Sequence, residues 1–487
     1  MRTLVWFRSD LRTDDNPALS TATQASSRGV AAIYIISPED WRRHDTAPVR
    51  VDFVLRNLRE LSASLQRLNI PLLIRTARHW SDVPNTLVEV AGSIGADEVH
   101  ANREYEVNEQ RRDQTAGDLL VKQSRRLVLH HDQVFIPPGE LLTGSGGPYT
   151  VYTPFKKACY AEIARRGGLR INKAPKPQSQ LLSQPDPVPT VVEGFQSQVD
   201  PALWPAGERH ALSRLRDFLR TRGANYKRDR DFPALEGTSA LSAYLSAGII
   251  SPRRCFNAAV EANQGRMDAG NEGLSHWISE LVWREFYRHI LALFPRVCMG
   301  RAFKPATDRI RWSDNHEHFE AWKTGRTGVP IVDAAMRCLT ATGWMHNRLR
   351  MVVAMYLTKD LFINWRWGER HFMLNLIDGD LAQNNGGWQW SASTGTDAAP
   401  YFRIFNPVMQ SEKFDPDGTF IRRWVPELAD VDPAHIHDPH DDRRGLPMLL
   451  RSTLDYPRPI VDREHVKDRV MSAFKGLGNA ETPIRSA

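Results

Sequence analysis

Short runs of β-branched and aromatic residues alternate with longer amphipathic stretches over the first quarter of the chain. Leu4 to Phe7, Val30 to Ile36, Pro71 to Ile74, Glu98 to Ala101 and Leu127 to Leu129 read as strands, with helical spacing near 50–68, 82–94 and 107–122. Strands separated by helices in this way need crossover connections, which predicts an α/β domain built on a doubly wound parallel sheet. The loop after the first strand, Arg8 to Pro17, contains no glycine, so the G-x-G-x-x-G dinucleotide fingerprint is absent. Between Ile171 and Pro205 seven prolines forbid regular helix and mark an extended connection. Beyond it the apolar spacing turns helical at Leu212 to Leu219, Leu274 to Phe294, Val329 to Leu339 and Met345 to Leu361. The expected organisation is an α/β domain over 1–135, a long linker over 136–205 and an all-helical domain over 206–487, with long loops after about 378.

Composition changes this picture in three places. The 487 residues carry 64 Lys+Arg against 57 Asp+Glu, and 14 Trp. Most of the excess charge, and every Trp except Trp6, Trp41 and Trp80, falls after position 200. Cations interleaved with indoles suit a surface that meets phosphates and stacks on flat rings, although a Trp-rich core accounts for the same count. Cys159, Cys255, Cys298 and Cys338 form no C-x-x-C pair, which argues against a disulfide framework or zinc knuckle and for a reducing compartment. No apolar run approaches the roughly 18 residues needed to span a membrane. Met1 to Phe7 lacks the features of a signal peptide, so a cytoplasmic protein without membrane association is expected.

Four segments carry candidate chemistry. Glu236 to Ser242 places Thr238, Ser239 and Ser242 at the start of a helical pattern, where hydroxyls and free N–H groups suit a phosphate; an ordinary N-cap uses the same residues. Glu280, Trp283 and Arg284 lie at i, i+3 and i+4, putting a carboxylate, an indole and a guanidinium on one helical face, as a surface ion pair also would. On a helix Asn347, Arg350 and Met351 share a face within Trp344-Met345-His346-Asn347-Arg348-Leu349-Arg350-Met351. Asp378 to Trp390 combines two carboxylates, paired amides, two glycines and two indoles; this suits a large polar aromatic ligand better than a metal, the alternative being a glycine-rich turn capped by Asp. His435, His437 and His440 resemble metal ligands, but Pro439 points to a solvated loop, and no metal is expected.

Together these segments resemble the photolyase/cryptochrome flavoproteins, most closely the bacterial class I cyclobutane pyrimidine dimer photolyases. The resemblance runs from Val5 to Leu428 and is densest over Trp283 to His289, Gly343 to Met351 and Asp378 to Asn406. It implies that the helical domain holds folded-over FAD. Tyr226, Thr238, Ser239, Leu241 and Ser242 would hold the phosphates, with Trp277, Glu280 and Arg284 beside it. Arg350 and Asp378 would pair near the isoalloxazine, Asp378 and Asp380 would bind the flavin and ribose side, and Asn384 would face flavin N5, which fits a cofactor kept as FADH⁻. The implied reaction is light-driven repair: an electron passes from excited FADH⁻ to a dimer flipped out of DNA, and returns after the ring splits. Trp283 and Trp390 would flank the dimer, Glu280 and Asn347 would bond its polar edges, and Met351 would pack on it. Arg348, Arg350, Arg403, Gln410 and Lys413 would meet the DNA. Trp388, Trp365 and Trp312 match the relay that photoreduces resting FAD. His44, Asn108, Glu109 and Cys298 match the site of an antenna, a reduced folate (methenyltetrahydrofolate); Met299, often Lys in folate binders, keeps a deazaflavin as the alternative. Ala240 stands where many relatives carry Arg.

A blue-light sensor of the cryptochrome type shares the FAD and the relay, a (6-4) photolyase would carry two His in place of Asn347 and Met351, and a light-independent electron-transfer flavoprotein leaves the indole-rich face unexplained. The expected protein is a monomeric, dimer-repairing DNA photolyase.

Overall fold

The computed structural model describes residues 1–442 and 445–477. Five strands, β1 (Thr3–Phe7), β2 (Val30–Ile36), β3 (Leu72–Thr76), β4 (Glu98–Asn102) and β5 (Arg126–His130), form one parallel sheet of order β3-β2-β1-β4-β5. Four long crossover helices serve it: α1 (Pro17–Ala25), α2 (Pro48–Gln66), α3 (Val83–Ser93) and α4 (Val107–Lys122). β1 and β4 are buried at every position; β1 reads as a near-continuous apolar run, whereas β4 buries the polar Glu98, His100 and Asn102 along with Val99 and Ala101. The strand order reverses between β1 and β4, and in such sheets ligands sit outside the carboxyl ends of the strands at that point.

The segment 136–205 is irregular from 171 onward, apart from a single 3-10 turn at Pro201–Leu203. Before that lies a helix, α5 (Tyr152–Arg165), which buries Tyr152, Phe155, Cys159, Tyr160 and Ile163 in the core shared with the helical domain. That domain contains α6 (Glu208–Thr221), α7 (Pro252–Ala262), α8 (Glu272–Leu293), α9 (Pro330–Thr342), α10 (Asn347–Met355), α11 (Trp365–Met373), α12 (Leu381–Ala392), α13 (Pro407–Phe414), α14 (Thr419–Trp424) and α15 (Val466–Lys475) among others. Asn271 caps α8 by accepting the Leu274 N–H at 2.9 Å, and Gly343, at φ +69, ends α9 in the left-handed region.

The expectation of long loops after 378 holds for 393–406 and 429–442 but is corrected at its start, where a helix stands. Asp380 caps α12 by accepting the Gln383 N–H at 3.2 Å, and the helix runs straight through Gly386 and Gly387. Gly386 serves packing, since a Cβ there would overlap the Tyr287 ring of α8. The solvated His loop is corrected too. His437 is buried against Ser411 Oγ at 2.7 Å, and His440 Nε2 donates to Tyr456 O at 2.9 Å.

The two domains are joined by buried charge. Arg12 and Arg253 both engage Asp132, and Arg253 also reaches Asp15 at 3.0 Å, with both carboxylates fully buried. Glu285 on α8 accepts the N–H groups of Phe135 and Ile136 at 2.9 and 3.0 Å. Such pairs fix domain placement, because separating either partner would strand a charge out of water.

Candidate active site

The floor of the site is made by α10, α12 and the turn between α11 and α12. Arg350 donates through Nη2 to both oxygens of Asp378, at 3.0 and 2.8 Å, and through Nε to Met345 O at 2.8 Å. Asp380 pairs with Arg288. Burial works against its charge, yet Arg288 and Arg284 hold its carboxyl below the ordinary carboxylate value. Asn384 is 8% exposed and donates Nδ2–H to Glu369 O at 2.9 Å. That bond fixes the amide: Oδ1 is left as the acceptor facing the other way.

The loop before the short helix Ser242–Ser246 forms a second part. Thr238 and Ser239 precede that helix instead of capping it, and Leu241 is the residue at its N-cap. Ala240 sits at φ +49, and among the described residues no N–H from Thr238 to Leu241 finds an acceptor. A left-handed residue in a run of free N–H groups is an anion-binding nest, and here it is reinforced by two unbonded hydroxyls. Tyr226 and Trp277 are buried beside it against Phe218. This donor set suits a diphosphate, and the carboxylate, guanidinium and amide groups of the floor suit the edge of a heteroaromatic ring. The residues present therefore fit FAD.

At the mouth, Glu280 does not pair with Arg284. Its partners are Arg230 and, at 3.4 Å, His276; burial opposes its ionisation, but these two keep it below its ordinary value. Arg284 turns inward to Gln133, its Nη1 donating to the Gln133 carbonyl at 2.8 Å, because it lies on the side of α8 packed against 133–136. The next residue after Arg230, Asp231, pairs with Arg348 at 2.9 Å, so one dipeptide links Glu280 on α8 to the start of α10. Asn347 is exposed there, and Met351 is half-buried one turn on. Trp283 is stacked on Tyr152, ring centroids 3.5 Å apart and 8° from parallel, and Tyr152 is anchored by its OH to Ser279 O at 2.7 Å. Trp390 is half-buried, Arg403 and Lys413 are exposed, and Gln410 lies on α13 with Oε1 unpartnered.

The three relay candidates each pack against their own neighbours. Trp388 is buried edge-to-face with Phe372 at 5.0 Å and Trp322 at 6.0 Å. Trp365 lies fully buried under the Arg366 guanidinium at 4.5 Å, and Trp312 meets Phe362 at 5.0 Å. No ring contact joins the three to one another among the described residues. Gly368 brings α11 and α12 together, since a Cβ there would overlap the Trp388 ring.

A cavity of about 580 Å³ opens at the strand-order reversal, lined by Arg8 and Ser9 after β1 and by Arg103 and Glu104 after β4. His44, Asn108, Glu109 and Cys298 all line it. Asn108 Nδ2 lies 3.2 Å from His44 Nε2, and Cys298 Sγ accepts the Val107 N–H at 3.3 Å. Burial together with Glu106 and Glu104 raises the Glu109 carboxyl above its ordinary value, which favours its neutral, donating form. Glu104 goes the other way: despite burial, Arg8 and Arg112 hold it down at about 2. Tyr152, Arg230, Trp322 and Glu369 carried no sequence signal, because each acts through a partner distant in the chain.

Comparison with known proteins agrees with this geometry. The DNA photolyase family pattern matches residues 3–178, and the pattern for the FAD binding domain of DNA photolyase matches residues 277–476. The chain belongs to the DNA photolyase family. It is 44% identical to the deoxyribodipyrimidine photo-lyase of Escherichia coli K12 over 97% of this chain and 98% of that protein. Among solved structures it is similar to a class III photolyase from Agrobacterium tumefaciens (TM-score 0.83, 35% identity, 98% of this chain and 97% of that one) and to a Synechocystis cryptochrome (TM-score 0.86, 28% identity, 97% and 99%).

Proposed function

We propose that this protein repairs cyclobutane pyrimidine dimers in DNA under blue light, with FAD in the helical domain and a reduced folate, or alternatively a deazaflavin, as antenna in the cavity at the strand-order reversal. When bound, reduced FAD supplies an electron to the dimer in the light and takes it back after the ring opens. The residues of this chain do the rest. The loop from Thr238 to Ser242 receives the diphosphate, and the paired Arg350 and Asp378 hold the flavin edge. Asn384, its amide nitrogen held by Glu369 O, would turn its carbonyl oxygen toward N5, a neutral group that favours a protonated N5 and offers no acid to protonate it further. Trp283, kept flat by Tyr152, gives the flipped dimer a stacking face, while Glu280 and Asn347 bond its polar edges. Arg348, Arg403, Gln410 and Lys413 meet the flanking DNA, and the phosphate contacts make affinity salt-dependent.

The observation that carries this reading is the Arg230–Asp231 bridge, which brings the carboxylate of α8 and the exposed amide of α10 to one opening over the Arg350–Asp378 floor. The cryptochrome neighbour supports a second reading as a blue-light sensor. One assay separates them: purified, prereduced protein under blue light should restore thymine-dimer DNA, and illuminated protein that binds flavin but leaves the dimers intact would favour the sensor.

A further inference from the structure

On the α6 side of the loop from Thr238 to Ala240 lies a second cavity of about 500 Å³, lined in part by Thr238 and Ala240 themselves; the repair reading assigns no role to the rest of its lining. Its walls come from α6, from the turn 233–236, from Trp344 and His346 ahead of α10, and from Arg423 on α14. His346 is 4% exposed. Its Nδ1 accepts the Arg348 N–H at 3.2 Å, which leaves the proton of the neutral ring on Nε2, and that Nε2–H is buried with no partner among the described residues. Burial pushes His346 down to about 4, so the ring stays a neutral donor at physiological pH. A buried donor without an acceptor is costly unless a ligand or water completes it.

The charged groups of the cavity are similarly underused. Arg214 lies over the Tyr244 ring at 5.8 Å, has a buried, unpartnered Nε, and has no carboxylate partner among the described residues. Arg423 is exposed, likewise without a carboxylate. Arg222 reaches only the outlying Glu236 at 3.9 Å. The other acid, Asp217, is engaged by Arg220 at 3.4 Å. Trp344, half-buried, adds an indole and ties the wall to the phosphate loop through Nε1–H to Ser242 Oγ at 3.1 Å.

We propose that this groove binds a phosphate group, with Arg214, Arg222 and Arg423 as its cations, the Nε2–H of His346 as its buried donor and Trp344 as a face for an attached ring. The phosphate belongs either to a free nucleotide or to a DNA strand, and its seat lies on the α6 side of the loop from Thr238 to Ala240, which it shares with the flavin seat.

The test uses holoenzyme, its Arg214→Gln and Arg423→Gln variants, and calorimetric titration with inorganic phosphate, dTMP and an undamaged duplex. Each substitution should weaken the responding ligand roughly tenfold, the loss expected for one charged hydrogen bond, with flavin per protein unchanged. Saturable dTMP binding that phosphate competes away assigns a free nucleotide. Response of the duplex alone, with a salt dependence shallower by about one phosphate contact in each variant, assigns a DNA strand. The proposal is overturned if neither variant alters affinity for any of the three probes. It is also overturned if Arg214→Gln lowers flavin content, since the groove would then be part of the cofactor seat. Photorepair by the wild-type protein is scored separately, so failure of the groove and failure of the repair reading give different results.

Discussion

Glu369 offers a sharp test of the wall between the two ligand cavities. Its carbonyl holds Asn384, its Oε1 accepts the Asn385 N–H at 2.7 Å, and its side chain lines the larger cavity. Burial pushes its carboxyl up from 4.5 to about 7, only partly offset by Asn385 and Arg366. A carboxyl raised in the folded state costs nothing below its unfolded value; the penalty grows as pH rises from 4.5 toward 7 and is complete above it. At about 1.36 kcal/mol per pH unit the full penalty would be about 3.4 kcal/mol, and partial access to the cavity reduces this to about 1–3 kcal/mol. Glu369→Gln keeps the acceptor for Asn385 and removes the ionisation. The melting temperature of the variant holoenzyme should therefore match wild type near pH 5 and exceed it at pH 8 by roughly 1–3 °C, the shift such an energy gives in a chain of this length. An equal offset at both pH values, or a lower midpoint at pH 8, would show that this carboxyl is not held in a low-polarity wall.

Three further outcomes follow from the same geometry. Asn384→Asp must stay protonated to donate to Glu369 O, so its denaturation midpoint should track wild type near pH 4 and fall behind as pH rises; parallel pH profiles would mean that the amide nitrogen is not held by that carbonyl. Arg253→Met leaves Asp15 and Asp132 short of a counter-charge in the domain interface and should cost about 3–5 kcal/mol in urea unfolding, and a loss under 1 kcal/mol would assign the interface to apolar packing instead. Trp388→Phe should block photoreduction of oxidised flavin while sparing repair by chemically prereduced enzyme, and equal loss of both would remove the relay role.

What could be read from the chain, and what could not, divides along physical lines. The central strands β1 and β2 were legible because burial on both faces makes each a near-unbroken apolar run, as at Val30 to Ile36, and the others by their spacing between helical stretches. α12 was not, since Gly386 and Gly387 carry turn propensity and only the Tyr287 ring, from another helix, explains why a side chain is forbidden at 386. The pairing of Arg350 with Asp378 came from family resemblance, whereas the orientation of Asn384 needed the position of the Glu369 carbonyl. Tyr152 lay in a stretch read as linker, and its stacking on Trp283 is a contact between distant segments with no local signature.

The distribution of buried and exposed charge separates the ways in which this site can fail. On the floor, buried Asp378 is paired with Arg350 and buried Asp380 with buried Arg288, so removing one strands its partner in a low dielectric and disturbs the fold and the flavin together. At the mouth, Arg403, Lys413 and Asn347 are exposed, and their loss is compensated by water. Variants of the mouth should then lose DNA affinity while retaining flavin and stability, whereas variants of the floor should lose all three at once. The Arg230–Asp231 bridge lies between these regimes: it is made of half-buried ion pairs, yet it sets the spacing of Glu280 and Asn347. Weakening it changes how well the flipped dimer is positioned more than how tightly DNA is held, so substitutions there should depress repair per bound dimer at nearly constant affinity.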